Sequence, residues 1–454
     1  MLNSFNFINN KIDQKNNYIL ASRFLFEAVH KKKFPKTFLI NVFFINLFCL
    51  IKIIFKIHFN FFIQIDSINI FKKKVIYKKS NLIISHKNLS DNSDYIFGDN
   101  FGENFKLKAN FIYVNHIKSD SKYLKISKDI RLFNYFLQLK TIVKLFKISL
   151  SFLFSYDPVK YELYDKNFLN HLSLSYLKED TFYNVIIFEY IKKNILLSEC
   201  KNIVTTYEGH PWEILLFSYS KDLKSVSIFA YLHTYLKTNS PYLHLHLKFQ
   251  PNYLYVVGEI MKLKVLDNLP FQKNQIITLG SKKFSSNKDS NNDLSRKKFK
   301  NILLLPESID EEVQLFLKFI DIYKKNENLN IKIKLHPLYE MNNLDLIKYK
   351  KYIINGNFES ILKNFELIVY RGTSSIFEII HNDVVCLYLY DKEKIINNPL
   401  SINSPDLFID IKNKNSLFHA EQNLINNELI LDKYKKIKKK FNYYYEPFNN
   451  NLLP

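Results

Sequence analysis

The chain alternates between short runs rich in Ile and Val and longer segments in which apolar residues recur every three to four positions. The short runs are predicted β-strands, and the longer segments, such as residues 130–150 and 181–197, are predicted helices. Alternation of this kind is typical of a largely parallel sheet covered by helices on both faces. The first six predicted strands are residues 81–85, 110–115, 202–207, 226–232, 253–258 and 275–280.

A polar stretch without periodicity, residues 282–300, interrupts this alternation and is a predicted linker. The alternation resumes after it, so the sequence predicts two α/β domains, residues 78–281 and 301–400, followed by a helical tail of residues 401–454. Within the tail, residues 433–440 are predicted to be a solvated basic helix. The second domain has predicted strands at 301–306, 330–335, 366–370 and 384–390, and predicted helices at 310–325, 358–364 and 374–381.

Residues 1–77 differ from the rest and are predicted to form a helical extension. They carry a net charge of +9, and basic clusters at residues 31–33 and 72–74 lie on either side of the apolar run 37–55. Polar residues interrupt that run, so it falls short of the roughly 20 mostly apolar residues of a spanning helix. Three alternatives remain: the segment spans the membrane despite these interruptions, it lies on an anionic membrane surface, or it is a helix buried against the body of the protein.

Charge and cysteine content exclude several classes of function. The 454 residues have a formal net charge of +22, but only four of the 65 basic residues are Arg, so we expect no nucleic-acid partner. Three widely separated Cys and the lack of a recognisable signal peptide fit a cytoplasmic protein. There is no GxxxxGK[ST], GxGxxG, GxSxG or Asp-x-Asp motif, which disfavours P-loop, dinucleotide, nucleophile-elbow and metal-bridged nucleotide sites.

The richest cluster of reactive side chains follows the predicted strand 202–207. Glu208 and His210 are candidates for acid–base catalysis, because they are the side-chain types most used for that work. Gly209 permits a sharp turn, and the helix that follows contains Trp212, the only Trp of the chain, and Glu213, which suits a helix N-terminus. The alternative is that His210 and Glu213 only cap that helix.

Three further clusters occupy the ends of other predicted strands. Lys334-Leu335-His336-Pro337 places an imidazole where it can donate to an anion, and Tyr231-Leu232-His233-Thr234 places His233 at the end of another strand. After the strand 366–370, a Gly turn with neighbouring hydroxyls predicts a phosphate site. Its candidate residues are Arg371, Gly372, Thr373, Ser374, Ser375 and Glu378. His244 and His246 lack a third ligand nearby, so no metal is expected.

Leu335-His336-Pro337, followed by Gly372-Thr373-Ser374-Ser375, resembles the HP and SS motifs of GT-B glycosyltransferases. The similarity is closest to polysialyltransferase-like and CDP-glycerol-transferase-like enzymes of bacterial surface polysaccharides. The segments 207–213 and 231–234 are similar to motifs of a bacterial surface carbohydrate biosynthesis family, although the second lacks that family's Pro and Ser. The resemblance covers residues 80–400 and implies two Rossmann-like domains facing a cleft.

The resemblance also implies a division of roles. The second domain would hold a nucleotide sugar, a CMP-sugar or similar, with His336, Ser374 and Ser375 at its phosphate. The first domain would bind the acceptor, with Glu208 as general base, His210 beside it, and Trp212, Glu213 and His233 lining the acceptor side or the cleft. Transfer would be metal-independent, need no cofactor and invert the anomeric carbon.

These expectations describe a cytoplasmic enzyme at the inner face of the membrane that builds a lipopolysaccharide or capsule glycan on a glycan or glycolipid acceptor. One alternative is transfer of a polyol phosphate from a CDP donor, which the same phosphate site would serve. An alternative of another class is a non-catalytic scaffold of a glycan synthesis or export complex.

Overall fold

A computed structural model describes most of the chain from residue 80 onward. The described residues are 80–86, 97, 109–114, 143–144, 179–198, 200–223, 225–236, 247–284, 298–307, 309–336, 339, 341–356, 358–380, 384–394, 398–400, 405–441 and 444–454. The predicted extension 1–77, most of the predicted helix 130–150, Pro337, His244 and His246 lie outside them. The chain divides into two compact units, residues 1–256, 262–282 and 448–454 forming unit 1, and residues 257–261 and 283–447 forming unit 2.

Unit 1 contains a six-stranded sheet in which every pair of neighbours is parallel. All six strands were predicted, each with ends within a few residues of those observed, which confirms the α/β class for this part of the chain. The core of the sheet is formed by β-branched and other apolar residues such as Ile83, Ile203 and Val204, none of which is exposed. The strands are β1 (Asn81–Ser85), β2 (Ala109–Tyr113), β3 (Asn202–Thr206), β4 (Ser227–Leu232), β5 (Tyr253–Val256) and β6 (Ile276–Thr278).

In the part of the chain that the structure describes, three helices with defined bounds accompany these strands. Helix α1 (Glu179–Ser198) contains the predicted helix 181–197, and α2 (Pro211–Asp222) follows β3 directly. Helix α3 (Glu259–Asn268) follows β5. Among the helices that the structure describes, none combines the length and the apolar character needed to cross a membrane.

Unit 2 contains a five-stranded sheet that is also entirely parallel. Its four predicted strands are present, and a short fifth strand, which the sequence pattern did not indicate, extends one edge. The strands are β7 (Asn301–Leu305), β8 (Asn330–Ile333), β9 (Leu367–Tyr370), β10 (Val385–Tyr390) and β11 (Phe408–Asp410). The helices are α4 (Asp310–Tyr323), α5 (Asn343–Tyr349), α6 (Phe358–Leu362), α7 (Ile376–Ile379), α8 (Ser416–Asn426) and α9 (Glu428–Phe441).

Two helices of unit 2 differ from the prediction. Helix α7 is only one turn long, whereas the pattern predicted residues 374–381. Helix α9 is not fully solvated, since Tyr434 and Lys438 are buried on one face and the Tyr434 hydroxyl accepts a hydrogen bond of 2.8 Å from the backbone N–H of Cys386 in β10. The prediction of a solvated basic helix at 433–440 is therefore wrong for that face, which packs against the sheet.

Both sheets share one topology. The order in unit 1 is β2-β1-β3-β4-β5-β6, and the order in unit 2, written from the other edge, is β8-β7-β9-β10-β11. In each sheet the second strand lies on one side of the first, and all later strands lie on the other side. This reversal creates a switch point between β1 and β3 in unit 1 and between β7 and β9 in unit 2. Ligands of doubly wound folds bind beyond the carboxyl ends of the strands at such a point. The segments after β1 and β3, and after β7 and β9, are therefore the places to look for a site.

Candidate active site

The segment after β3 in unit 1 turns sharply into α2. Gly209 adopts φ +81°, a left-handed backbone conformation that residues with a Cβ rarely adopt, so the turn depends on this glycine. Pro211 occupies the first position of α2, where its missing N–H costs nothing and its fixed φ suits the helix. Glu208 and His210 stand on either side of Gly209 and are presented at the end of the strand.

Glu213 holds this turn in place from inside the protein. Its side chain is fully buried, and Oε2 accepts hydrogen bonds from the backbone N–H groups of Glu208, Gly209 and His210 at 3.0, 2.8 and 3.0 Å. Oε1 accepts a further hydrogen bond from the Thr206 hydroxyl. Burial raises the pKa of Glu213 to about 7. Glu213, predicted to line the acceptor side, thus lies beneath the turn and positions it.

The Glu208 carboxylate contacts two imidazoles, one through each of its oxygens. Its Oε2 lies 2.8 Å from His210 Nε2, and its Oε1 lies 3.1 Å from His233 Nε2, so His233 shares the site with the other two. Burial alone would raise the pKa of Glu208, but the hydrogen bonds and charges of His210 and His233 outweigh it and hold that pKa well below its usual value. Glu208 is therefore a carboxylate at neutral pH, and each imidazole nitrogen that faces it is a donor.

His210 is the member of this group that reaches furthest toward solvent. Its side chain is 30% exposed, against 16% for Glu208 and 14% for His233. Trp212, which is buried, lies nearly parallel to the His210 ring, with centroids 6.1 Å apart and an interplanar angle of 12°. The backbone N–H of Trp212 is fixed by Asn184 Oδ1 at 3.3 Å. Trp212, predicted for the acceptor side, thus packs beneath the reactive imidazole.

His86, which sequence reasoning missed, belongs to the same site. It follows β1 directly, its ring lies 5.8 Å from that of His210, and its Nδ1 lies 2.5 Å from the Val114 carbonyl oxygen. One ligand atom from each of His86, Glu208 and His210 lies within 4.8 Å of the others, so this trio could hold a metal ion. The available signal was a polar residue at a strand end, but only the pairing of β1 with β3 shows that it matters.

In unit 2, His336 follows β8 and lies near Lys283. Burial lowers the pKa of His336, and the charge of Lys283 lowers it further. Lys283 Nζ also forms an ion pair of 2.5 Å with Glu378 Oε1. The structure therefore brings the predicted phosphate residues His336 and Glu378 around Lys283, which the sequence analysis had assigned only to the linker.

Arg371, also predicted for the phosphate site, points into the protein. It is 1% exposed, and its Nε lies 3.0 Å from Glu312 Oε1. Its Nη1 donates to the Tyr388 hydroxyl at 2.8 Å and to the Leu389 carbonyl at 2.9 Å. These contacts join β9, β10 and α4, so they favour a role for Arg371 in holding the switch-point turn rather than in meeting a ligand directly.

The predicted Gly turn after β9 is present. Gly372 adopts φ +69°, and the Thr373 Oγ1 accepts a hydrogen bond of 3.3 Å from the backbone N–H of Ser375. Thr373 is buried, while Ser374 and Ser375 are half-buried and lie just before α7. The two serines are therefore the members of this cluster that a ligand can reach, and Thr373 shapes the turn.

No protein-family model matches the chain, and no curated protein matches it. Among solved structures, it is similar to S. aureus MnaA in a co-structure with UDP, at 13% identity and a TM-score of 0.44 over 82% of this chain and 94% of that one. A lipopolysaccharide outer core galactosyltransferase, WaaB, gives 9% identity and a TM-score of 0.39 over 81% of this chain and 96% of that one. Methanocaldococcus jannaschii UDP-GlcNAc 2-epimerase gives 18% identity and a TM-score of 0.39 over 54% of this chain and 75% of that one. At these TM-scores the likenesses establish neither a family nor an activity.

Proposed function

We propose that the chain is a GT-B-type glycosyltransferase that uses a nucleotide-activated sugar, a CMP-sugar or similar, to build a bacterial surface polysaccharide. The observation that carries this proposal is the Glu208–His210 pair at the switch point of unit 1, held by the buried Glu213 and backed by Trp212. A partly exposed imidazole bonded to a carboxylate is an arrangement that suits proton transfer.

The contacts divide the work within the pair. Because Glu208 is ionised, it accepts the N–H at Nε2 of His210, and the lone pair of the neutral ring is then on Nδ1. His210 Nδ1 would take the proton from the acceptor hydroxyl, and Glu208 would orient the ring and stabilise its charged form. The resemblance implied Glu208 as the general base, whereas the low pKa of Glu208 makes it a weak base and favours His210.

In the proposed reaction, the acceptor oxygen attacks the anomeric carbon of the donor sugar as its proton passes to His210. The new glycosidic C–O bond forms while the bond from that carbon to the nucleotide phosphate oxygen breaks, and the electron pair leaves with the nucleotide. Attack from the face opposite the leaving group would invert the anomeric carbon.

Unit 2 would bind the nucleotide. Since burial and the Lys283 charge lower the pKa of His336, His336 is neutral near pH 7 and would donate a hydrogen bond rather than a charge. Lys283 is the cation at this position, and Ser374 and Ser375 add donors at the turn. These groups would stabilise the negative charge of the phosphate through preorganised hydrogen bonds and the positive charge of Lys283.

Donor binding can be tested by thermal shift of the full chain with CMP, UDP, GDP and CDP. We expect one of them to stabilise the protein and His336→Ala to lose that shift. His419→Ala, an exposed histidine on α8, is the matched control and should keep it. If none of the four stabilises the wild type, the donor site is misassigned.

Catalysis can be tested once the donor is known, with product mass separating a glycosyl increment from a polyol phosphate. Loss of a general base typically costs about 10²–10⁴-fold in rate, so His210→Ala should lose that much. Glu208→Gln should lower the rate and keep donor affinity. Full activity in both variants would remove the catalytic assignment, and a wild type that binds nucleotide without turnover would favour a scaffold.

Association with an anionic membrane surface, at the inner face of the cytoplasmic membrane, is proposed from the sequence of residues 1–77 alone. Their charge of +9 beside the apolar run 37–55 supports it. Deleting residues 1–77 should release the protein from liposomes that contain anionic lipid. Unchanged binding of the shortened chain would contradict this part of the proposal.

A further inference from the structure

We infer that His86, Glu208 and His210 form a binding site for a divalent transition-metal ion of the Zn²⁺ class. Two imidazoles and one carboxylate are a ligand set that zinc uses in proteins. No metal is expected from the sequence, because His244 and His246 lack a third ligand nearby. His86 supplies that ligand from another strand. The inference goes beyond the proposed transfer reaction and does not depend on it.

The distances are close to those that coordination requires. Bonds of about 2.0–2.2 Å to a tetrahedral ion place the ligand atoms roughly 3.3–3.5 Å apart. The Glu208 and His210 atoms are now 2.8 Å apart, in hydrogen-bond contact, and all three ligand atoms lie within 4.8 Å of one another. An ion would replace that hydrogen bond, and the side chains would move by about 1 Å or less each.

Each ligand also has a partner that orients it. The His86 Nδ1 donates to the Val114 carbonyl at 2.5 Å, which leaves the lone pair of the neutral ring on Nε2. Glu208 Oε1 is held by His233 Nε2 at 3.1 Å, and the His210 ring lies against Trp212. Metal-binding histidines and carboxylates typically have such outer partners, which fix the tautomer and the ring orientation.

The site is anchored at the strand ends and open on one side. His86 follows β1, while Glu208 and His210 follow the adjacent strand β3, so two neighbouring strands of the sheet fix the ligands. His86 is buried, and the 30% exposure of His210 leaves an approach for the ion and for a fourth ligand from solvent. A neutral imidazole has one lone pair, so an ion bound to His210 and proton acceptance by His210 exclude each other.

The test is Zn²⁺ binding to the full chain by equilibrium dialysis after chelation, with Co²⁺ absorption as a second readout of coordination geometry. We expect one tightly held equivalent, and its loss in His86→Ala and His210→Ala. His233→Ala removes only an outer partner and should weaken binding by about 10–100-fold. His419→Ala, on the exposed surface of α8, is the matched control and should bind as the wild type does.

His86 is buried, so His86→Ala can fail to fold; His210→Ala, at a partly exposed position, then decides the question, with circular dichroism confirming its fold. An equivalent that survives in folded His210→Ala, or a folded wild type that retains no Zn²⁺, would overturn the inference. Neither result touches the nucleotide-induced thermal shift, so failure of the metal site and failure of the proposed transferase are distinguishable.

Discussion

Removing the Glu213 carboxylate should unfold the turn that carries Glu208 and His210. That carboxylate accepts hydrogen bonds from three backbone N–H groups, those of Glu208, Gly209 and His210, and from the Thr206 hydroxyl. In Glu213→Ala all four donors lose their partner. An unsatisfied buried donor costs about 1–3 kcal/mol, and water can reach the three amides in part. We therefore expect a loss of roughly 3–5 kcal/mol, near the upper end for single substitutions.

At pH 4.5, where the Glu213 carboxyl of the folded chain is protonated, Glu213→Gln should cost much less, about 0.5–1.5 kcal/mol, because an amide oxygen can accept the three backbone N–H groups while the Thr206 hydroxyl turns to accept from the amide. The chain itself provides the assay. Trp212 is the only Trp, it is buried, and it is adjacent to Glu213, so its fluorescence in urea follows unit 1 alone. With a slope of about 2–3 kcal/mol per molar urea, Glu213→Ala should lower the midpoint by roughly 1–2 M.

The matched control is Glu327→Ala, which removes an exposed carboxylate from the loop between α4 and β8. Substitutions at such surface positions usually change stability by less than about 0.5 kcal/mol. If Glu213→Ala shifts the Trp212 transition no more than Glu327→Ala does, the buried carboxylate does not hold the turn. If Glu213→Gln costs as much as Glu213→Ala, the hydrogen bonds that the Glu213 side chain accepts are not what stabilises the turn.

Three further predictions concern pH, Arg371 and Gly258. Because burial raises the pKa of Glu213 from 4.5 to about 7, the folded chain holds that proton more tightly, and this stabilisation is complete at low pH and lost as the pH rises to about 7. The wild type should therefore lose up to about 3 kcal/mol relative to Glu213→Gln between pH 4.5 and 7.5, and a relative gain in urea unfolding would contradict this. Arg371→Lys cannot reproduce the hydrogen bonds to Glu312, Tyr388 and Leu389, so unfolding followed by circular dichroism should show unit 2 destabilised by about 1–3 kcal/mol. Unchanged unfolding together with lost nucleotide binding would instead favour a direct contact between Arg371 and the phosphate. Gly258→Ala would bring a Cβ against the Tyr444 carbonyl oxygen, closer than Cβ atoms normally approach backbone, and should cost about 1–3 kcal/mol in the same assay. A neutral effect would show that this backbone contact yields easily.

Most of the two sheets could be predicted because parallel strands buried on both faces are continuous apolar runs. The predicted strand 202–207 is such a run, and its observed bounds, Asn202–Thr206, differ by one residue. The short edge strand β11 was missed, since three residues carry almost no periodicity. The length of helix α7 was overestimated. Its apolar residues reach the core from a turn followed by a single helical turn, and the local sequence does not encode this tertiary environment.

The candidate site could be predicted only where its residues are close in the sequence. Glu208, His210 and Glu213 lie within six positions, so their clustering was visible, although which of them is buried was not. Arg371 shows the limit of that reasoning: its residue type suggested a phosphate ligand, but burial and three protein partners are properties of the folded unit.

His86 shows why the rest could not be predicted. It lies more than 120 positions before Glu208, and the two meet because β1 pairs directly with β3, with Asn81 opposite Asn202. The predicted strands alone do not give this order, since β1 also pairs with β2, its neighbour in the chain. Once the order is known, the switch point between β1 and β3 selects the residues that follow those two strands, and His86 is the first polar side chain there. Because of this strand order, His86 joins the Glu208–His210 pair to form a cluster of three potential metal ligands. Proton transfer and metal binding are therefore alternatives at the same site.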